Sequence, residues 1–224
     1  MTTLFVTSSG TDIGKTQVCC ALLENAPATL KLRCIKPVVT GFDSGSPAAS
    51  DTARLLAAQG KPIDPAAIDA TSPWRFRAAL SADIAAEREG RSIDFDRLVE
   101  FSRAPAEIDF NLIEGIGGVM APIDSRHTVI DWIEALQPKI LLVVGSYLGA
   151  ISHTLTAIDS LRQRKLPVIG IIVSESLEQP MPVAETVTIL GRHHPDTPIA
   201  IMHRNKKADA LTASAWVIQL LGLD

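Results

Sequence analysis

The segment Ser8-Ser9-Gly10-Thr11-Asp12-Ile13-Gly14-Lys15-Thr16 separates a short apolar run from a stretch of helical periodicity. Residues of these types in that order can hold a chain of phosphates. Backbone N–H groups and a helix N-terminus surround the phosphate oxygens, and a glycine at Gly14 lets the chain approach them without a Cβ in the way. Lys15 supplies a point charge to the β and γ phosphates, and the Thr16 hydroxyl suits Mg²⁺. Strict spacing would place the first glycine at position 9, where Ser9 stands with Gly10 after it, so the loop is a variant.

Three further residues suit phosphoryl transfer. Glu114 follows the apolar run Phe110-Asn111-Leu112-Ile113 and precedes Gly115-Ile116-Gly117-Gly118. That puts a carboxylate at a strand's carboxyl end, where open parallel sheets bind ligands. Asp51 follows Ser50 at the start of a helical segment and reads equally as a metal carboxylate or a helix N-cap. Lys36 lies in Cys34-Ile35-Lys36-Pro37-Val38, an apolar strand that Pro37 should end, because proline removes the next ladder donor. A lysine there either snorkels its head into solvent or faces the phosphate crevice as a second cation for charge that develops during transfer.

The elements that must position these residues alternate. Short β-branched runs at 4–7, 33–38, 110–113, 140–144, 168–173 and 199–202 are separated by longer helical patterns. This alternation predicts an α/β chain with a mostly parallel sheet and helices on both faces. Val18 and Leu22, Cys19 and Leu23, and the stripe Ile151, Leu155, Ile158, Leu161 mark helices, with a closing helix over 210–221. Residues 41–73 read as an excursion over the strand ends that includes a helix over 51–58. At 224 residues with 46% hydrophobic and 21% charged, the chain fits one domain spanning 1–224.

A formal net charge of −4 speaks against nucleic acid or an anionic membrane as partner. No leader-like or membrane-length apolar run is visible, and a cytoplasmic location is expected. Cys19, Cys20 and Cys34 form no C-x-x-C pattern and read as packing residues, and His193-His194 as a solvated helix end.

Together, Thr11 to Thr16, Lys36-Pro37-Val38 with Thr40-Gly41, Ser50-Asp51, Glu114 to Gly118 and Leu148 to His153 resemble the dethiobiotin synthetase family in order and spacing. The resemblance implies a three-layer P-loop NTPase fold and an ATP- and Mg²⁺-dependent cyclo-ligase of biotin synthesis. Its substrates would be 7,8-diaminononanoate and CO₂, and it would act as a homodimer with the substrate site near the interface. Catalysis would fall to Lys36, Lys15 and Thr11. Nucleotide would be held by Asp12, Ile13, Gly14, Lys15, Thr16 and Gln17, with Asp51, Glu114, Gly115, Ile116, Gly117, Ser174 and Glu175 completing its site. Thr16, Asp51 and Glu114 would surround the metal. Thr40 would contact the diamine, and Leu148, Gly149, Ala150, Ile151 and Ser152 the substrate's carboxylate tail.

Departures are visible at Ser174-Glu175, where many relatives have Asn-Asp, and at Met202-His203-Arg204. A P-loop switch of the partitioning type is the alternative from another class, but it would carry a lysine where Gly10 stands. A related amide-forming ligase on the same fold is a second alternative.

Overall fold

Leu4 and Val6 face one apolar core and Phe5 the other, as a strand covered on both sides requires. In the computed structural model, which describes residues 1–223, this strand is β1 (Thr2–Ser8), followed by α1 (Lys15–Asn25), β2 (Leu32–Ile35) and β3 (Val38–Thr40). The chain continues through α2 (Asp51–Ala58), α3 (Pro65–Thr71), β4 (Trp74–Phe76), α4 (Ala82–Arg88), α5 (Phe95–Ser102) and β5 (Phe110–Glu114). It closes with α6 (Val129–Leu136), β6 (Lys139–Val144), α7 (Ala150–Gln163), β7 (Val168–Ser174), α8 (Val183–His193), β8 (Ile199–Met202) and α9 (Lys207–Leu221).

The six-stranded sheet has the order β2-β5-β1-β6-β7-β8, and its paired neighbours are parallel. β1 is the switch point, with β5 on one side and β6 on the other, so the loop after it opens into the crevice such sheets use for ligands. One core joins Leu4, Val6, Leu112 and Val143 to α1 and α9. The opposite core joins Phe5, Ile113 and Val144 to α6, α7 and α8 around the buried Trp132. Trp132 meets Phe5 edge-on at 4.8 Å between centroids and donates its indole N–H to Ser102 Oγ at 3.0 Å.

The expected strand over 33–38 is two strands. β2 stops at Ile35, and β3 leaves the main sheet to pair in parallel with β4. The reason is Pro37, which cannot donate to a ladder; instead its carbonyl accepts from Trp74 N–H at 3.0 Å. The helix over 51–58 lies where expected, but its N-cap is Ser50, whose Oγ accepts from Ala53 N–H. Asp51 is thereby free to face the crevice. The closing helix begins three residues earlier than expected, at Lys207.

His193 is exposed as expected, whereas His194 is buried, with Nδ1 3.3 Å from the Arg162 guanidinium. The helix ends against α7 rather than in solvent. Cys19, Cys20 and Cys34 are free and buried. Burial pushes all three thiols up, Cys20 to about 11.

α6 carries a test of local stability. Thr128 N–H and Oγ1–H donate to Asp131 Oδ2 at 2.7 and 2.8 Å, and Arg164 donates to Asp131 Oδ1 at 2.7 Å. Burial pushes the Asp131 carboxyl up, but these donors outweigh it and hold it below the ordinary carboxylate range. A depressed folded pKa means the stabilisation is present above the unfolded value of about 4 and is lost as pH falls through the folded one. Asp131→Asn should cost about 1 kcal/mol at pH 7, the modest figure reflecting partial exposure. The gap in melting temperature from the parent protein should narrow progressively below about pH 4.

Candidate nucleotide and metal site

The loop from Ser9 to Gly14 turns sharply at two positions. Asp12 has φ 57° and Gly14 has φ 100°. A Cβ on Gly14 would also stand 2.7 Å from Ser174 Oγ, so glycine is required both for backbone freedom and for space. Gly118 lets a second backbone approach the loop: a Cβ there would meet Gly10 N at 3.1 Å.

Lys15 is buried at the centre of this arrangement. Its Nζ donates to Gly117 O at 2.9 Å, Ser8 Oγ at 3.1 Å and Gly10 O at 3.3 Å. Burial lowers its ammonium to about 8, with Glu114 opposing the shift. Phosphate oxygens supply the negative partners that these neutral acceptors do not.

Register brings the remaining groups together. Val6 of β1 lies opposite Glu114 of β5, and Ile35 of β2 opposite Ile113. Lys36, one residue past the end of β2, therefore stands beside Glu114. Its backbone is pinned by a hydrogen bond from Lys36 N–H to Thr71 O at 3.1 Å. Its Nζ donates to Glu114 Oε1 at 2.8 Å, is bonded to Asp51 Oδ2, and lies 3.5 Å from Thr16 Oγ1. Thr16 Oγ1 also donates to Glu114 Oε1, at 2.6 Å. Burial works against the Lys36 charge, but Glu114 and Asp51 more than offset it and hold the ammonium well above the usual lysine range. For Asp51, burial pushes the carboxyl up and Lys36 pulls it down further, so it stays ionised.

These donors fit a divalent ion. Glu114 Oε2 is buried and has no hydrogen-bond partner among the described residues, which leaves its lone pairs for a cation. Thr16, Asp51 and Glu114 supply only hard oxygens, the donor class Mg²⁺ prefers. Among the described residues no three His, Cys, Asp or Glu gather as a metal cage. An ion here would draw its other ligands from water and phosphate oxygens.

All of these groups line one open cavity of about 820 Å³. Thr11, Asp12, Ile13, Gly14, Lys15, Thr16 and Gln17 form one wall, and Gly115, Ile116 and Gly117 lie beside Glu114. Thr40 lines it with Lys36 and Asp51, and Ser174 and Glu175 line the far end. Leu148 to Ser152 are not brought to this cavity. Leu148 is 84% exposed, Gly149 takes φ 96° as the N-cap of α7, and Ala150 is buried.

Sequence reasoning misses two features. Arg54 donates to Gln17 Oε1 at 2.8 Å and stands 3.5 Å from Asp51 Oδ1, tying the Asp51 carboxylate to α1. The i,i+3 spacing of Asp51 and Arg54 on one helix is a signal that could have found it. At the far end, Glu175 accepts from Arg204 N–H at 2.9 Å and from Gln179 Nε2 at 3.1 Å, and His203 Nδ1 is bonded to Asp209. The Glu175–Arg204 contact joins residues 29 apart through two loops and leaves no periodic trace.

A family profile described as an AAA domain matches residues 2–211. The chain is 45% identical over 201 residues to the ATP-dependent dethiobiotin synthetase BioD of Methylobacterium nodulans, covering 86% of this chain and 89% of that protein. It is 47% identical over 184 residues to the BioD of Caulobacter vibrioides, covering 80% and 83% respectively. Among solved structures it resembles a Cyanothece McdA variant in complex with ATP, with TM-score 0.60 at 14% identity, covering 100% and 97% of the two chains. It also resembles the Pyrococcus furiosus cell division ATPase MinD, with TM-score 0.57 at 12% identity, covering 98% and 100%. At those identities the likeness extends to the fold alone.

Proposed function

The chain belongs to the ATP-dependent dethiobiotin synthetase family, and from that premise we propose a chemical role for each group around the cavity. The activity is that of an ATP-dependent ligase forming carbon–nitrogen bonds. One amine of 7,8-diaminononanoate adds to CO₂ and loses a proton, giving a carbamate. A carbamate oxygen attacks the γ-phosphorus of ATP, ADP leaves, and a carbamic–phosphoric anhydride results. The second amine attacks the anhydride carbonyl, closes the ureido ring and releases phosphate.

None of these steps needs a covalent bond to the protein, so positioning and charge are what the site contributes. The observation that carries the reading is the convergence of Lys15, Lys36, Asp51 and Glu114 on one cavity behind the phosphate loop. The segment from Asp12 to Gln17 holds the phosphates, with Lys15 at the β and γ groups. Thr16, Asp51 and Glu114 are the residues that would hold Mg²⁺, which neutralises phosphate charge when bound. Lys36 serves the transferring phosphoryl group and the carbamate. Thr11 lies on the loop that lines the same cavity, and Thr40 contacts the diamine.

Phosphate release by the purified protein with Mg²⁺, ATP and bicarbonate should depend on added diamine. Release that ignores the diamine, or none with any nucleoside triphosphate, overturns the assignment. Running the assay across ATP, CTP and GTP reads the preference of the far end of the cavity, where Ser174, Glu175, His203 and Arg204 gather.

The partner is a second copy of this chain. Leu148 and Leu177 are 84% and 81% exposed on the loops after β6 and β7. These loops are stitched by hydrogen bonds from Ser146 N–H to Ser176 Oγ and from Ser176 N–H to Ser146 Oγ, both 3.0 Å. The N-terminus of α7 beside Leu148, lying outside its own cavity, suits the carboxylate tail of a substrate held by the other subunit. Light scattering should give twice 24.0 kDa, and Leu148→Asp with Leu177→Asp should give 24.0 kDa. A monomeric parent protein overturns this part. Three buried free cysteines suit a reducing compartment, the cytoplasm.

A further inference from the structure

We propose that Lys36 is the resident cation of the Thr16, Asp51 and Glu114 cluster and makes it selective, admitting a divalent ion as its nucleotide complex and rejecting the free ion. The inference rests on the assignment of those three residues to the metal. Lys36 Nζ lies against Glu114 Oε1, Asp51 Oδ2 and Thr16 Oγ1, one oxygen from each residue that would hold the metal, and so stands in the space those three side chains enclose. Mg²⁺ sits at about 2.1 Å from its oxygens, so an ion and an ammonium cannot both occupy that position. Two carboxylates and one ammonium leave the cluster with a single negative charge. A free divalent ion would turn that into a net positive set with two cations crowded on the same atoms.

A nucleoside triphosphate changes the balance. Its oxygens arrive on the Lys15 side of the cavity, supply the ligands the cluster lacks, and give Lys36 another acceptor. The backbone of Lys36 is pinned at Thr71 and, through Pro37, at Trp74, so the exchange is a swing of the flexible side chain. The same movement carries the ammonium from the carboxylates towards the γ-phosphate. Metal loading and delivery of the lysine are one event.

The test is Mn²⁺ titration of the full chain without nucleotide, followed by calorimetry and by the paramagnetic signal of the free ion. Lys36→Met should bind Mn²⁺ at least tenfold tighter than the parent protein, and Lys36→Arg, which keeps the cation, should bind as weakly as the parent. The gain should vanish in Lys36→Met/Asp51→Asn. Equal affinities of parent and Lys36→Met, or a gain that survives the second substitution, overturn the proposal. Should Lys36→Met fold only with metal, recovery of its helical circular dichroism on adding Mn²⁺ supports the proposal and failure to recover overturns it. The titration contains no diamine or nucleotide, so it can fail while diamine-dependent phosphate release stands, and the reverse.

Discussion

Lys36→Ala is expected to lower kcat by about a thousandfold or more, the scale for removing a preorganised group that meets charge developing in the transition state. Nucleotide affinity should not weaken, because the close partners of Lys36 are the carboxylates of Asp51 and Glu114, with Thr16 Oγ1 more distant at 3.5 Å. Stability falls as well. Glu114 is buried, and stripping its ammonium leaves an uncompensated charge, a change that typically costs about 3–5 kcal/mol. Single-turnover phosphate release, nucleotide titration and thermal melting separate the three effects. Loss of nucleotide binding in parallel with kcat would move Lys36 to the ground-state phosphates and overturn the role proposed for it.

Lys15→Met should have the opposite profile, raising the nucleotide dissociation constant by about a hundredfold or more, the scale for truncating one member of a buried charge pair. Lys15 is buried against two carbonyls and a hydroxyl, none of which carries a charge to match it. A phosphate oxygen would supply that charge. Methionine keeps most of the stem and removes the ammonium, so binding measured by calorimetry should collapse. Unchanged nucleotide affinity would show that the loop amides alone hold the phosphates and that Lys15 acts elsewhere.

The contrast between these lysines is only half legible in the sequence. Lys15 is identified by its neighbours Gly14 and Thr16, because a phosphate loop is a local motif. Lys36 stands out by its place in an apolar strand before a proline, and the strand does end there. Its partners are another matter. Thr16 and Glu114 are 98 positions apart and Lys36 and Glu114 are 78, and only the pairing of Ile35 with Ile113 and of Val6 with Glu114 brings them together. Strand order, which decides that pairing, is not written in periodicity. The helix at Asp51–Ala58 is legible in the sequence, although its cap is Ser50 and not Asp51, whereas β4, α4 and α5 draw no specific expectation. Their short lengths and mixed faces carry too little pattern to stand out.

The small β3–β4 sheet has a mechanical meaning. Lys36 N–H is tied to Thr71, Pro37 O to Trp74, Phe42 N–H to Phe76 O at 2.9 Å and Gly41 N–H to Ala78 O at 3.1 Å, so the stretch bearing Lys36 and Thr40 is braced by 71–78 and leaves the main sheet after β2. Lys36 and Thr40 thus reach the cavity from a stretch braced apart from the six-stranded sheet, while Lys15 reaches it from the loop after β1. A change within 71–78 would therefore move Lys36 and Thr40 relative to Lys15 while leaving the strand pairing of the main sheet in place.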